Sequence, residues 1–101
     1  MYTIMTDMKM VWVLANYQGI PFKKDQEGNS LLIISGEPAT VEAEDFDDGG
    51  EGVSFHFQNA GYGGYDYREE KGVAVSKSGD VVNIGNVSSD DWLCYTLQVT
   101  E

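Results

Sequence analysis

Glu42 and Glu44 flank Ala43 in the run Val-Glu-Ala-Glu-Asp-Phe at 41–46. On a β-strand, side chains two apart leave the same face, so this spacing aims both carboxylates one way. Like charges held together repel unless a cation or a basic partner neutralises them. A hard cation such as calcium takes its ligands from carboxylates and backbone carbonyls. The pair is a candidate metal site, set against two solvated residues on an edge strand. The run Asp45-Phe46-Asp47-Asp48-Gly49 invites an EF-hand reading, but its glycine falls one place early and no helical pattern flanks it.

A second chemistry lies in Tyr62, Tyr65 and Tyr67, set among Gly61, Gly63 and Gly64. Exposed aromatic rings stack on the apolar faces of pyranose sugars, while carboxylates and amides bond the hydroxyls. The alternative is that the rings pack inward with only their hydroxyls wet. Arg68 follows them and is expected to pair with Asp66, Glu69 or Glu70. Trp92 is either a sugar platform or half-buried under a loop. His56, between Phe55 and Phe57, has no second histidine or cysteine pair to make a zinc site, and reads as a hydrogen-bonded structural residue. Cys94 is the only cysteine, so no intrachain disulfide forms. No Ser-His-Asp order or phosphate loop is present, and no carboxylate pair stands out as acid and nucleophile. The residues point to binding rather than catalysis.

The elements that must position these groups are strands. Alternation over Met8–Leu14 suits one strand, and Leu31–Ser35, Thr40–Phe46, Val53–Gln58, Gly72–Ser76 and Val81–Gly85 supply five more. Residues 16–30 read as a connection, and Lys77-Ser78-Gly79-Asp80 as a turn. The last strand has the cleanest period: Leu93, Tyr95, Leu97 and Val99 on one face, Cys94, Thr96, Gln98 and Thr100 on the other, with Trp92 in phase with the second set. About seven short strands with turns between them predict an all-β chain, a β-sandwich or jelly roll.

At 101 residues the chain has the length of one domain. Seventeen acidic and six basic residues give a net charge of −11, which argues against nucleic acid and against an anionic membrane surface as partners. The apolar run at residues 10–15 is too short to span a bilayer, and no basic cluster precedes it as in an export signal.

From Val41 the chain resembles the N-terminal half of a family 6 carbohydrate-binding module. The resemblance rests on Val-Glu-Ala-Glu-Asp-Phe at 41–46, Gly-Gly-Glu-Gly-Val-Ser-Phe-His at 49–56, Gly63-Gly64-Tyr65 through Tyr67-Arg68, Gly-Val-Ala-Val at 72–75, Ile-Gly-Asn-Val at 84–87 and Asp-Trp-Leu-Cys-Tyr-Thr at 91–96, in that order. It implies a non-catalytic module that directs a polysaccharide-degrading enzyme to its substrate, extracellular or periplasmic if carried by an exported enzyme. It implies a structural calcium held by Glu42 and Glu44 with a backbone carbonyl near Arg68. The sugar-facing set becomes Glu51, Tyr62, Tyr65, Asn86 and Trp92. Two positions depart from the family: Asn86 stands where an aromatic platform is usual, and Ala74 where an acidic residue is usual.

On this reading residues 1–40 are N-terminal strands and linker, residues 41–101 are a partial module, and the family's later strands lie beyond Glu101. The apolar face of Leu93, Tyr95 and Leu97 is then expected to be covered by the N-terminal strands or by a second copy, in a homodimer also held by the Met8–Trp12 strand. Weak or lost sugar binding is expected. The other function class is a self-associating β-sandwich that binds no sugar.

Overall fold

The computed structural model describes residues 1–7, 10–14, 19–35, 40–59, 61, 63–65, 67–68, 72–85 and 87–99. Within them the fold is nearly all-β: β1 (Tyr2–Thr6), β2 (Val11–Leu14), β3 (Ile33–Ile34), β4 (Phe55–His56), β5 (Ala74–Ser78), β6 (Val81–Gly85) and β7 (Trp92–Val99), with one 3₁₀ turn, Ala43–Asp45. Two sheets form, an arrangement compatible with a β-sandwich. One runs β2-β1-β7-β3 with β4 also on β7, and the other is the β5–β6 hairpin. The hairpin register, Ser78 opposite Val81, leaves Gly79-Asp80 as its two-residue turn.

β7 is the hub. Its residues 93–97 pair antiparallel with β1, with Thr3 opposite Thr96. The opposite edge is assembled from pieces. The amides of Cys94, Thr96 and Gln98 donate in turn to the Ser54 carbonyl (2.8 Å), to Asp47 Oδ1 (2.8 Å) and to the Leu32 carbonyl (2.9 Å). An aspartate side chain thus fills the gap between the short strands β3 and β4, keeping the buried ladder satisfied.

The core lies between the sheets. Tyr95 and Leu97 of β7 meet Phe46, Phe55, Phe57 and Val75 there, and Phe55 packs edge-to-face with both Phe46 (5.6 Å) and Phe57 (6.3 Å). The apolar face of β7, expected to be covered by the N-terminal strands or by a second copy, is buried within the single chain: Tyr95 and Leu97 are only 4% and 3% exposed. The phenylalanines and the hairpin cover that face together with Ile4, Leu32 and Ile34 of the N-terminal segment. Strands on both sides of residue 40 share one sheet.

Other boundaries moved. β1 was not anticipated, and the alternating run expected at 8–14 is β2 from Val11, with Met8 outside the described residues. β2 is a sheet edge whose Val11 and Val13 are 60% and 63% exposed. The strand expected at 40–46 is instead the 3₁₀ turn. Glu-Ala-Glu alternation mimics a strand, but these residues form no ladder. The Asp45 amide bonds back to the Glu42 carbonyl at 3.0 Å.

Candidate functional site

The 3₁₀ turn separates the two glutamates. At three residues per turn, positions two apart diverge, so the shared face expected for Glu42 and Glu44 does not exist. Glu42 is the exposed N-cap; Glu44 is half-buried. Glu44 Oε1 is buried and has no hydrogen-bond partner among the described residues. No group of three or more His, Cys, Asp or Glu side chains is placed to hold a metal ion among the described residues.

Arg68 turns inward to this region, its side chain 1% exposed. Nη1 donates to the Glu44 carbonyl (3.1 Å) and to the Phe46 carbonyl, and Nη2 to the Asp47 carbonyl (3.3 Å) and Asp48 Oδ1 (2.9 Å). The Phe22 and Phe46 rings each lie 3.8 Å from the guanidinium carbon. Its anticipated partners Asp66, Glu69 and Glu70 lie outside the described residues. Three backbone carbonyls around Glu44 are thus bonded to a guanidinium, whose planar fork suits several acceptors at once.

Residues 19–24, read from sequence as part of a connection, strap this loop down. Ile20 bridges to Asp48, and Lys23 Nζ lies 3.1 Å from the buried Asp45 Oδ2. Tyr67 donates its hydroxyl to Asp45 Oδ1 at 2.6 Å. The hydrogen bond to Asp45 raises the Lys23 pKa against burial. Tyr67 is raised by burial first and then by Asp45. Tyr65 stacks on Tyr67 (6.0 Å, 10°), with Lys77 Nζ 5.3 Å from its ring centroid. Two rings of the tyrosine loop are therefore half-buried and occupied internally; Tyr62 lies outside the described residues. The loop runs close along β5: a Cβ on Gly63 would come 2.4 Å from the Val75 carbonyl oxygen.

Asp47 and Thr96 form a buried polar chain that sequence reasoning missed. The Gly19 amide donates to Thr3 Oγ1 (2.7 Å), which lies 2.9 Å from Thr96 Oγ1, which donates to Asp47 Oδ2 (2.6 Å). The Thr96 proton is spent on the carboxylate, so Thr3 is the donor to Thr96. Burial raises the Asp47 pKa, opposed by the two bonds from Thr96. Nothing local signals this chain, since its members come from four separated segments.

The expected sugar residues Glu51 and Trp92 do come together, through His56. His56 sits opposite Trp92 in the β4–β7 pairing, the rings 6.3 Å apart and tilted by 37°. Its Nδ1 is 3.0 Å from Glu51 Oε2, and Glu51 Oε1 accepts the Phe57 amide at 2.9 Å. Burial is the largest single influence and works against the Glu51 charge, but the Phe57 amide and then His56 together bring its pKa below the ordinary glutamate value. His56 is thus hydrogen-bonded, as its sequence context suggests. Asn86 lies outside the described residues.

Beside Trp92 an open cleft of about 80 Å³ is walled by Phe57 and Leu93 and edged by Thr6, Asp7 and Asp91. Asp91 is buried, accepting the Gln58 amide at 3.0 Å and the Ser88 amide at 2.7 Å. The bond to Ser88 spans three residues and was legible as a Ser-x-x-Asp turn. Nearby, Gln58 Nε2 reaches Asp90 Oδ2 (3.4 Å) and Asn59 Nδ2 reaches Ser88 Oγ (3.0 Å). The arrangement is a half-exposed indole, a small apolar recess and a border of amides and carboxylates. No protein-family model, curated protein or solved structure matches the chain.

Proposed function

We propose that this chain is a non-catalytic carbohydrate-binding module in which Trp92 is the platform and Glu51 and the amides around Asp90 bond sugar hydroxyls. The observation that supports the reading is the meeting of Glu51, His56 and Trp92 at one half-exposed surface beside an apolar recess. A ring flanked by planar polar groups suits a pyranose, which has an apolar face and a hydroxyl rim. With one described ring rather than two, binding to neutral β-linked polysaccharide is weak, and the role is to hold a polysaccharide-degrading enzyme near its substrate. Retention of the protein in affinity electrophoresis gels containing a panel of polysaccharides tests this. Retardation that Trp92→Ala removes, with the circular dichroism spectrum unchanged, is expected. Retention by no polysaccharide, or retention indifferent to Trp92, refutes it.

Calcium belongs to the same proposal, on one observation: the buried Glu44 Oε1, without a hydrogen-bond partner among the described residues, fits a cation. A cation bound only to the folded chain raises the melting temperature. An unchanged melting temperature with calcium or chelator, in both the natural protein and Glu44→Gln, rejects it.

A second reading, self-association without sugar, is favoured by β2. Among the described residues this edge strand pairs only with β1, and it exposes Val11 and Val13. The homodimer then pairs β2 with β2, rather than using Leu93, Tyr95 and Leu97. A monomer by sedimentation at micromolar concentration rejects it.

A further inference from the structure

We infer that His56 is a ligand-contacting residue of the Trp92 site, presenting Nε2 as a hydrogen-bond acceptor to a sugar hydroxyl, and that Glu51 also acts through it, holding the imidazole in this form. The inference rests on the proposed sugar platform at Trp92 and adds a residue that selects what lies on it.

Register places the two rings together. His56 of β4 stands opposite Trp92 of β7, so both side chains leave the same face of the sheet. Phe55 and Phe57, on either side of His56, turn to the core instead. The His56 side chain is 40% exposed, and its ring centroid lies 6.3 Å from that of Trp92. A pyranose lying on the indole therefore has the imidazole at its rim.

Hydrogen bonding decides which nitrogen of His56 carries the proton. Glu51 Oε2 lies 3.0 Å from Nδ1, and Glu51 Oε1 accepts the Phe57 amide at 2.9 Å. The Glu51 pKa lies below the ordinary glutamate value, so near neutral pH both of its oxygens are acceptors only. An acceptor facing Nδ1 makes Nδ1 the donor. A neutral imidazole has one proton on nitrogen, so Nε2 is left with a lone pair. Nε2 sits at the end of the ring away from Cβ, outward from the strand, and has no hydrogen-bond partner among the described residues. An outward lone pair beside an aromatic platform takes a donor. A sugar hydroxyl supplies one at the rim of its ring, whereas an ether or ester in its place supplies none.

His56 is the only histidine of the chain, so in untagged protein a nitrogen NMR spectrum reads its tautomer without ambiguity. At a pH of about 8, above the ordinary histidine range, the natural protein is expected to carry the proton on Nδ1, and Glu51→Ala to shift it towards Nε2. A proton on Nε2 in the natural protein overturns the inference. Calorimetry with cellohexaose, xylohexaose and laminarihexaose reads the contact itself. His56→Phe keeps a ring beside Trp92 and removes Nε2, and is expected to weaken binding about fivefold. His56→Gln carries an amide oxygen near the Nε2 position and is expected to recover most of that loss. Glu51→Ala is expected to weaken binding less in His56→Phe protein than in the natural background. Binding abolished by Trp92→Ala but indifferent to His56→Phe overturns the inference and leaves the sugar platform standing. Binding kept by His56→Phe and lost in His56→Gln makes His56 a packing partner of the indole and overturns it as well. An equal cost of Glu51→Ala in both backgrounds overturns the positioning role of Glu51. No binding of any of the three sugars overturns the platform and the inference together.

Discussion

Replacing Arg68 with methionine keeps the apolar stem and removes the guanidinium. Four acceptors then lose a donor: the carbonyls of Glu44, Phe46 and Asp47 and the Asp48 carboxylate. Removing one member of a buried ion pair costs about 3–5 kcal/mol. Asp48 is 36% exposed, so water recovers part of its solvation and that contact falls at the low end. A buried carbonyl left unbonded costs about 1–3 kcal/mol, and each ring contact contributes about 1 kcal/mol. These losses overlap, because the loop relaxes once for all of them, and a total near 4 kcal/mol is expected. For a domain of this length that is a large part of the usual 5–15 kcal/mol. In urea, with a slope of about 1–2 kcal/mol per molar, the unfolding midpoint falls by roughly 2–4 M. Arg68→Lys keeps the charge without the planar fork and lands between the two. A loss below about 1 kcal/mol for Arg68→Met, with unchanged slope, refutes the view that this guanidinium holds the 44–48 loop.

Three further outcomes are expected. Burial raises the Asp47 pKa in the folded state, so its contribution is complete below the unfolded value of about 3.9 and is lost as pH rises through the folded value; urea unfolding from acid to neutral pH should show this decline in the natural protein and not in Asp47→Asn. Gly19→Ala places a Cβ 2.1 Å from Asp47 Oδ2 and 3.2 Å from Thr96 Oγ1, and should cost about 1–3 kcal/mol in thermal or urea unfolding; a neutral effect contradicts the close approach. Cys94 is 2% exposed and burial pushes its thiol up to about 11, so a thiol reagent at mildly alkaline pH should modify it only as fast as the protein opens, and rapid modification of native protein contradicts its placement.

The strands that the sequence revealed were those whose pattern is local. Val81–Gly85 appears as expected, and Leu93–Val99 differs from β7 by Trp92 alone, because a turn and a period-two pattern decide them within a few residues. Glu42-Ala43-Glu44 misled for the same reason: alternation was present but the hydrogen-bonded neighbour that makes a strand was not. Tyr2–Thr6 went unnoticed since its short mixed run acquires meaning only against β7. At the candidate site, Glu51 and Trp92 were named from sequence, while the part of His56 in joining them depends on the β4–β7 register. Arg68 was read as a partner of nearby acids; its described acceptors are three carbonyls and the Asp48 carboxylate, twenty or more residues away, which no local pattern reports.

Because β1, β3 and β4 all pair with β7, the sheet is closed by the last of the described strands in chain order. Thr3 waits for Thr96 across 93 intervening steps of chain. Until β7 docks, β1 and β2 have only each other among the described strands, and an isolated two-stranded hairpin is marginal in water. The core phenylalanines have no second sheet to press against. Folding is therefore slowed by long loop closure. During that interval the nascent β1–β2 ribbon, with its exposed valines, is the segment a chaperone has most reason to shield.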